Sequence, residues 1–244
     1  MTMLINKIRS SCLRSFLIII SFSVFSQSHA NHEIVLSYPK ESAYQFMAKR
    51  VLTEAYHQIG INITLEKLPA IRSAYYIENG SADGLLARTI GIKELHPDLI
   101  MISVPVAYDV ISVYAKTDIK VEGWESLLPY SIGYVTGSKT IEDKTKGMKV
   151  EGVRSEKQGL IKLDLGRNDV FIGLTGAQCV INKLNLSDIK SLDPPLETVI
   201  LFHFLNKEHS ELAKKLELIL RNMKSTGRIE ELQKQSVLEF MNQC

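Results

Sequence analysis

A glycine and an aspartate three residues apart, set between a helix and a short apolar strand, occur twice in this chain, and the recurrence points to two α/β lobes built on one plan. In the first copy a helix predicted over Ile71 to Glu78 runs into Asn79-Gly80-Ser81-Ala82-Asp83-Gly84 and the strand Leu85-Leu86-Ala87. Gly80 is the residue type that takes a left-handed backbone without a Cβ clash, so it suits a helix stop. In the second copy Glu156 to Leu165 read as a helix, then come Gly166, Asp169 and the strand Val170-Phe171-Ile172. Short, wholly apolar strands of this kind suit a buried parallel sheet.

The rest of the chain fits around these copies. Glu33 to Tyr38 alternates as a first strand, and Ser42 with Gln45 forms a capping box for a helix closed by Gly60. Asn62 to Leu68 gives a second strand, and Pro69 opens the helix carrying Arg72, so the series is βαβαβ and implies a parallel sheet. Leu99 to Ser103 is a further apolar run, Val110 to Ala115 a strand that crosses between lobes, and Thr117 to Gly123 a linker. A second series follows: a helix at Gly123 to Leu128, a strand at Ser131 to Val135, a helix from the 136–140 turn to near Gly147 and a strand at Met148 to Val153. After the second copy come a helix from Gly176 to Leu184, an apolar return strand from Glu197 to Leu205, and two C-terminal helices whose stripe includes Leu216, Leu220 and Leu232. The expected division is residues 1–30 as signal peptide, 31–113 as the first part of lobe 1, 114–201 as lobe 2 and 202–244 as the C-terminal helices rejoining lobe 1.

Lys7, Arg9 and Arg14 precede the apolar run Phe16 to Phe25, and Ser28-His29-Ala30 is a small-x-small cleavage pattern. That is a secretory signal, cut after Ala30, with an apolar core too short to span a bilayer. The signal holds three of the 29 Lys and Arg residues and none of the 27 Asp and Glu, so the mature charge is −1. Near-neutrality with scattered charge gives no reason to invoke nucleic acid or an anionic membrane. Export makes a disulfide between Cys179 and Cys244 feasible; a small buried thiol at Cys179 is the equal alternative.

Candidate ligand contacts follow from position. In open α/β sheets the ligand crevice lies beyond the carboxyl ends of the parallel strands, where Arg88 stands, able to fork onto a carboxylate. Arg72 is a second cation near a helix start. Thr136, Gly137 and Ser138 sit where a strand enters a helix, so their N–H groups favour an anion, with an ordinary N-cap by Ser138 as the alternative. Tyr38 and Tyr108 are candidate aromatic walls, and Thr175 is the lobe-2 counterpart of Arg88. The chain has no G-x-S-x-G turn and no His-Glu-x-x-His helix, so neither catalytic residues nor a metal or cofactor are expected.

On these residues the mature chain resembles the family 3 extracellular solute-binding proteins, of the type II periplasmic binding protein fold. The resemblance rests on the export signal, Asn79-Gly-Ser-Ala-Asp83, Tyr130-Ser-Ile-Gly-Tyr-Val-Thr-Gly-Ser138, Gly166-Arg-Asn-Asp-Val170 and Met223-Lys-Ser-Thr-Gly227. Leu68-Pro-Ala-Ile-Arg72 and Arg88 resemble a divergent branch. The resemblance implies a monomeric periplasmic protein of two α/β lobes joined by two hinge crossings. It would close on a small polar, carboxylate-bearing solute such as an amino acid and serve a membrane transporter or sensor. Ile90-Gly-Ile-Lys93 stands where amino-acid binders of this family have Thr-x-x-Arg, a departure that Arg88 or Arg72 would have to offset. A periplasmic lyase or dehydratase on the same scaffold is the alternative.

Overall fold

Two parallel three-stranded groups flank an antiparallel pair of long strands. The structure is a computed structural model, describing residues 33–69 and 75–244. The signal segment, Arg72 and the start of the helix predicted from Ile71 lie outside the described residues. The first group comprises β1 (Glu33–Tyr38), β2 (Asn62–Lys67) and β3 (Gly84–Arg88), with β1 parallel to both others. The second comprises β6 (Ile132–Val135), β7 (Val150–Val153) and β8 (Val170–Gly173), with β6 parallel to both others. Between them run β5 (Ala107–Ala115) and β9 (Lys190–Leu205), antiparallel from Ala107 opposite Leu201 to Ala115 opposite Lys190. Among the described residues the ladder order is β2-β1-β3-β9-β5-β8-β6-β7, with β4 (Ile100–Met101) pairing β9. Hydrogen bonding therefore passes unbroken through the shared strand β9, and residues 31–244 form one compact unit.

Hydrophobic clusters lie on either side of that pair, with a smaller one of Ile77, Ala82, Leu85, Leu99 and Phe204 beside β3 and β9. In the first lobe, Met47, Val51, Leu52 and Ala55 of α1 (Ala43–His57) pack against Leu36 and Leu86. Leu216 and Leu220 of α6 (Ser210–Ser225) and Ile229 and Leu232 of α7 (Arg228–Asn242) complete it. Arg228 forks onto Glu54 at 2.8 and 2.7 Å, fixing α7 to α1. The C-terminal helices thus pack on the first lobe's core. In the second lobe Ile111, Val113, Ile132 and Val170 form one cluster. Leu160 and Leu163 of α4 (Glu156–Asp164) pack with Phe171 and with Ala177 and Ile181 of α5 (Gly176–Leu184) in another. Two shorter helices are α2 (Ile92–Leu95) and α3 (Lys139–Lys144).

The repeated glycine and aspartate act alike in both lobes. Gly80 and Gly166 have φ of 75° and 67°, the left-handed stop that the sequence predicts. Asp83 accepts from the Val35 N–H of β1 at 2.7 Å, and Asp169 accepts from the Ser131 N–H, next to β6, at 2.7 Å. Each aspartate binds the turn before one strand to its parallel neighbour, so it fixes register where a strand begins.

Three expectations are corrected. Ser42 is the N-cap of α1 but makes no side-chain cap bond, and Gln45, 2 % exposed, shares the buried face of Ala48 and Leu52. The capping box does not form: Ser42 Oγ and both amide atoms of Gln45 are buried without a hydrogen-bond partner among the described residues. The residues read as a linker after β5 are part of the second core, because Val121 is buried and Ile119 and Trp124 pack there. The return strand begins at Lys190 rather than Glu197. Its pairing skips residues 193–196, where Pro194 and Pro195, lacking N–H donors, sit in an irregularity between the partners of Ile111 and Val113.

Candidate functional site

The carboxyl ends of the parallel strands from both lobes meet at one cavity of about 370 Å³. Lys40 follows β1, Thr89 follows β3, residues 136–141 follow β6, Glu156 lies just beyond β7, and Gly173 and Leu174 end β8. The crossing strands supply its floor with Asp109 and Ile111 from β5 and Val199 and Leu201 from β9. An apolar floor with a few convergent charges at strand ends is the arrangement expected of a small-molecule site.

The charged lining residues are Lys40, Asp109 and Glu156 and, on the 136–141 rim, Lys139, which pairs with Asp143 at 3.5 Å. Asp109 is 4 % exposed, and its Oδ1 accepts from the Val110 N–H at 2.9 Å and the Thr175 N–H at 3.1 Å. Burial pushes its carboxyl above the ordinary range, opposed by the Thr175 and Val110 hydrogen bonds and by Lys40. Burial also raises Glu156, with Lys40 opposing and Asp109 adding to the shift. Lys40 is the cation that acts on both buried carboxyls, and a further cation arriving there would offset the cost of their burial.

The predicted contacts fall into two groups. Thr136, Gly137 and Ser138 line the cavity, with Ser138 the N-cap of α3. The Gly137 N–H already donates to Glu142 at 2.7 Å, and the Thr136 hydroxyl donates to the Val153 carbonyl at 3.2 Å. The other group lies off the lining. Arg88 is half-buried at the end of β3; burial lowers its pKa, opposed by Tyr44, which does line the cavity. The Tyr38 hydroxyl donates to Glu41 at 2.6 Å, and Tyr108, paired with Ile200, packs against the first core. Thr175 holds Asp109 from lobe 2, and Arg72 lies outside the described residues.

Sequence reasoning missed Lys40, Asp109 and Glu156. The signal for Lys40 was its place just past the first parallel strand, and for Asp109 a charge inside an apolar crossing strand. Glu156 gave none, since an acid in a helix's first turn is ordinary. Among the described residues no cluster of His, Cys, Asp and Glu suits a metal, and no helix is long and apolar enough to cross a membrane.

A histidine kinase sensor domain with similarity to periplasmic binding proteins superposes with TM-score 0.66 at 12 % identity, covering 84 % of this chain and 96 % of that one. The fold is that of the type II periplasmic binding proteins. An ancestral arginine-binding protein bound to arginine matches with TM-score 0.63 at 16 % identity, over 85 % of this chain and 99 % of its own. In sequence, an uncharacterised protein of Shewanella oneidensis is 26 % identical over 211 residues, 83 % of this chain and 80 % of that protein. No family model matches.

Proposed function

We propose that the chain is a periplasmic solute-binding protein whose lobes close on a small polar solute bearing a carboxylate, an amino acid or a relative, for a membrane transporter or sensor. The observation that carries this reading is the cavity at the converging strand ends, with Lys40, Asp109 and Glu156 around an apolar floor. Lys40 suits a solute carboxylate, with Arg88 behind Tyr44 adding positive potential, while Asp109 and Glu156 suit an ammonium. Closure would exclude water and strengthen each of these contacts. The fold's likeness to an arginine-bound protein and to a kinase sensor domain supports a solute of this class and either kind of partner.

The raised carboxyls of Asp109 and Glu156 favour one second reading, an enzyme moving protons in the same cleft. A thermal-shift screen against amino acids, polyamines and organic acids, followed by mass spectrometry of the stabilising compound, separates the two. Recovery of the compound unchanged supports the receptor, and its conversion supports the enzyme.

A further inference from the structure

The Cys179–Cys244 disulfide, with a Cα separation of 5.1 Å, joins the two lobes rather than two parts of one. Cys179 lies on α5, whose Ala177 and Ile181 belong to the second-lobe core with Leu160 and Phe171. Cys244 follows α7, which belongs to the other core through Ile229 and Leu232. The end of α7 is held to α1 by the Phe46–Phe240 edge-to-face pair at 5.5 Å and by the Arg50–Glu239 ion pair. Both cysteines are therefore anchored, each to its own lobe, and the bond is a third covalent link beside β5 and β9.

Its position relative to the cleft gives the link a consequence. Cys179, Phe240 and Gln243 line a second cavity of about 570 Å³, which shares Lys40, Asp109 and Glu156 with the first. The charged cluster thus lies between the disulfide at one margin and the 136–141 rim at the other. A hinge of two adjacent strands bends and twists, but a bond at one margin stops that margin from parting while leaving the other free.

We propose that the Cys179–Cys244 bridge is a tether that limits how far the lobes separate and directs opening to the side of residues 136–141. It keeps Asp109 and Glu156 close to Lys40 across the cleft in the unliganded protein, so that less ordering is left to the solute. The tether depends on the two-lobed fold and not on the solute, so it can fail while the binding reading stands.

The test is small-angle scattering of the unliganded mature protein against the Cys179→Ser/Cys244→Ser double variant, with circular dichroism confirming that both are folded. The expected result is a rise of about 1 Å in the radius of gyration of the variant, a few per cent for a compact chain of this size. A second variant keeps the bond but slackens it with Gly-Ser-Gly-Ser inserted ahead of Cys244; its radius should rise in the same direction. Scattering curves for the slackened and wild-type proteins that superimpose would overturn the tether, whether or not the double variant folds.

Discussion

The two lobes begin their third strands alike and end them differently. Before β3 and before β8 alike, a left-handed glycine is followed by an aspartate whose own N–H donates to the neighbouring strand's carbonyl, Val35 at 2.9 Å and Ser131 at 3.0 Å. At the far ends the likeness stops: β3 runs into half-buried Arg88, while β8 runs into Gly173, Leu174 and Thr175. Shared features at strand beginnings fix register, which both lobes need equally. Of the differing strand ends, the residues that reach the cavity are Thr89 after β3 and Gly173 and Leu174 at β8.

The lobes also differ in how their turns and cores are braced. Asp83 accepts a second bond from His209 Nε2 at 2.7 Å, whereas exposed Asp169 has in its place the Ser131 hydroxyl at 2.6 Å. Only lobe 1 has a buried histidine, His203, whose Nδ1 lies 2.7 Å from the Leu85 carbonyl and whose Nε2 lies 2.8 Å from the Tyr56 hydroxyl. A carbonyl can only accept, so Nδ1 carries the proton and Nε2 accepts from Tyr56.

The largest expected effect is the pH response of His203 in lobe 1. Burial lowers His203 from its usual 6.5 to about 4, so the unfolded chain binds the extra proton first. This contribution to stability is full above pH 6.5 and falls as pH drops towards 4, by up to about 3 kcal/mol. The raised carboxyls of Asp109 and Glu156 act in the opposite sense. The His203 contribution is therefore read as the difference in urea-unfolding free energy between wild type and His203→Gln across pH 4 to 6.5; parallel curves would remove it.

Next come two glycines at close approaches, Gly84 in the first lobe and Gly159 in the second. A Cβ on Gly84 would lie 2.4 Å from the Phe204 backbone carbonyl, and one on Gly159 would lie 2.1 Å from the Phe171 ring. Backbone held in a ladder cannot turn aside, whereas a ring shifts slightly, so we expect Gly84→Ala to cost about 3 kcal/mol and Gly159→Ala about 2 kcal/mol. Equal midpoints in denaturant would contradict the ranking.

Smallest are the aspartates themselves. Asp83→Ala should cost about 2 kcal/mol and the more exposed Asp169→Ala about 1 kcal/mol. If Asp169→Ala proved the more damaging, the bracing by His209 would count for little.

Much of the fold was legible because its signals are local. The recurring glycine and aspartate, the apolar runs and the helix stripes each depend on neighbours a few residues away. The errors were those of tertiary context: Gln45 reads as a cap until its face is seen to be buried, and the return strand reads as starting at Glu197 until its pairing is seen to resume on the far side of Pro194 and Pro195. The cavity was half legible. Residues 136–138 were found from a strand-to-helix turn, but Lys40, Asp109 and Glu156 are brought together only by the crossing of β5, and no spacing in sequence records that.

A solute held in the cleft where the strand ends converge would touch Glu156, so thermal shift of wild type against Glu156→Gln reports on the cleft itself. Glu156 is half-buried, so the variant should fold normally. A solute that stabilises the wild type should raise the melting temperature of Glu156→Gln by less than half as much. An equal rise in both proteins would place the solute elsewhere and contradict binding in the cleft.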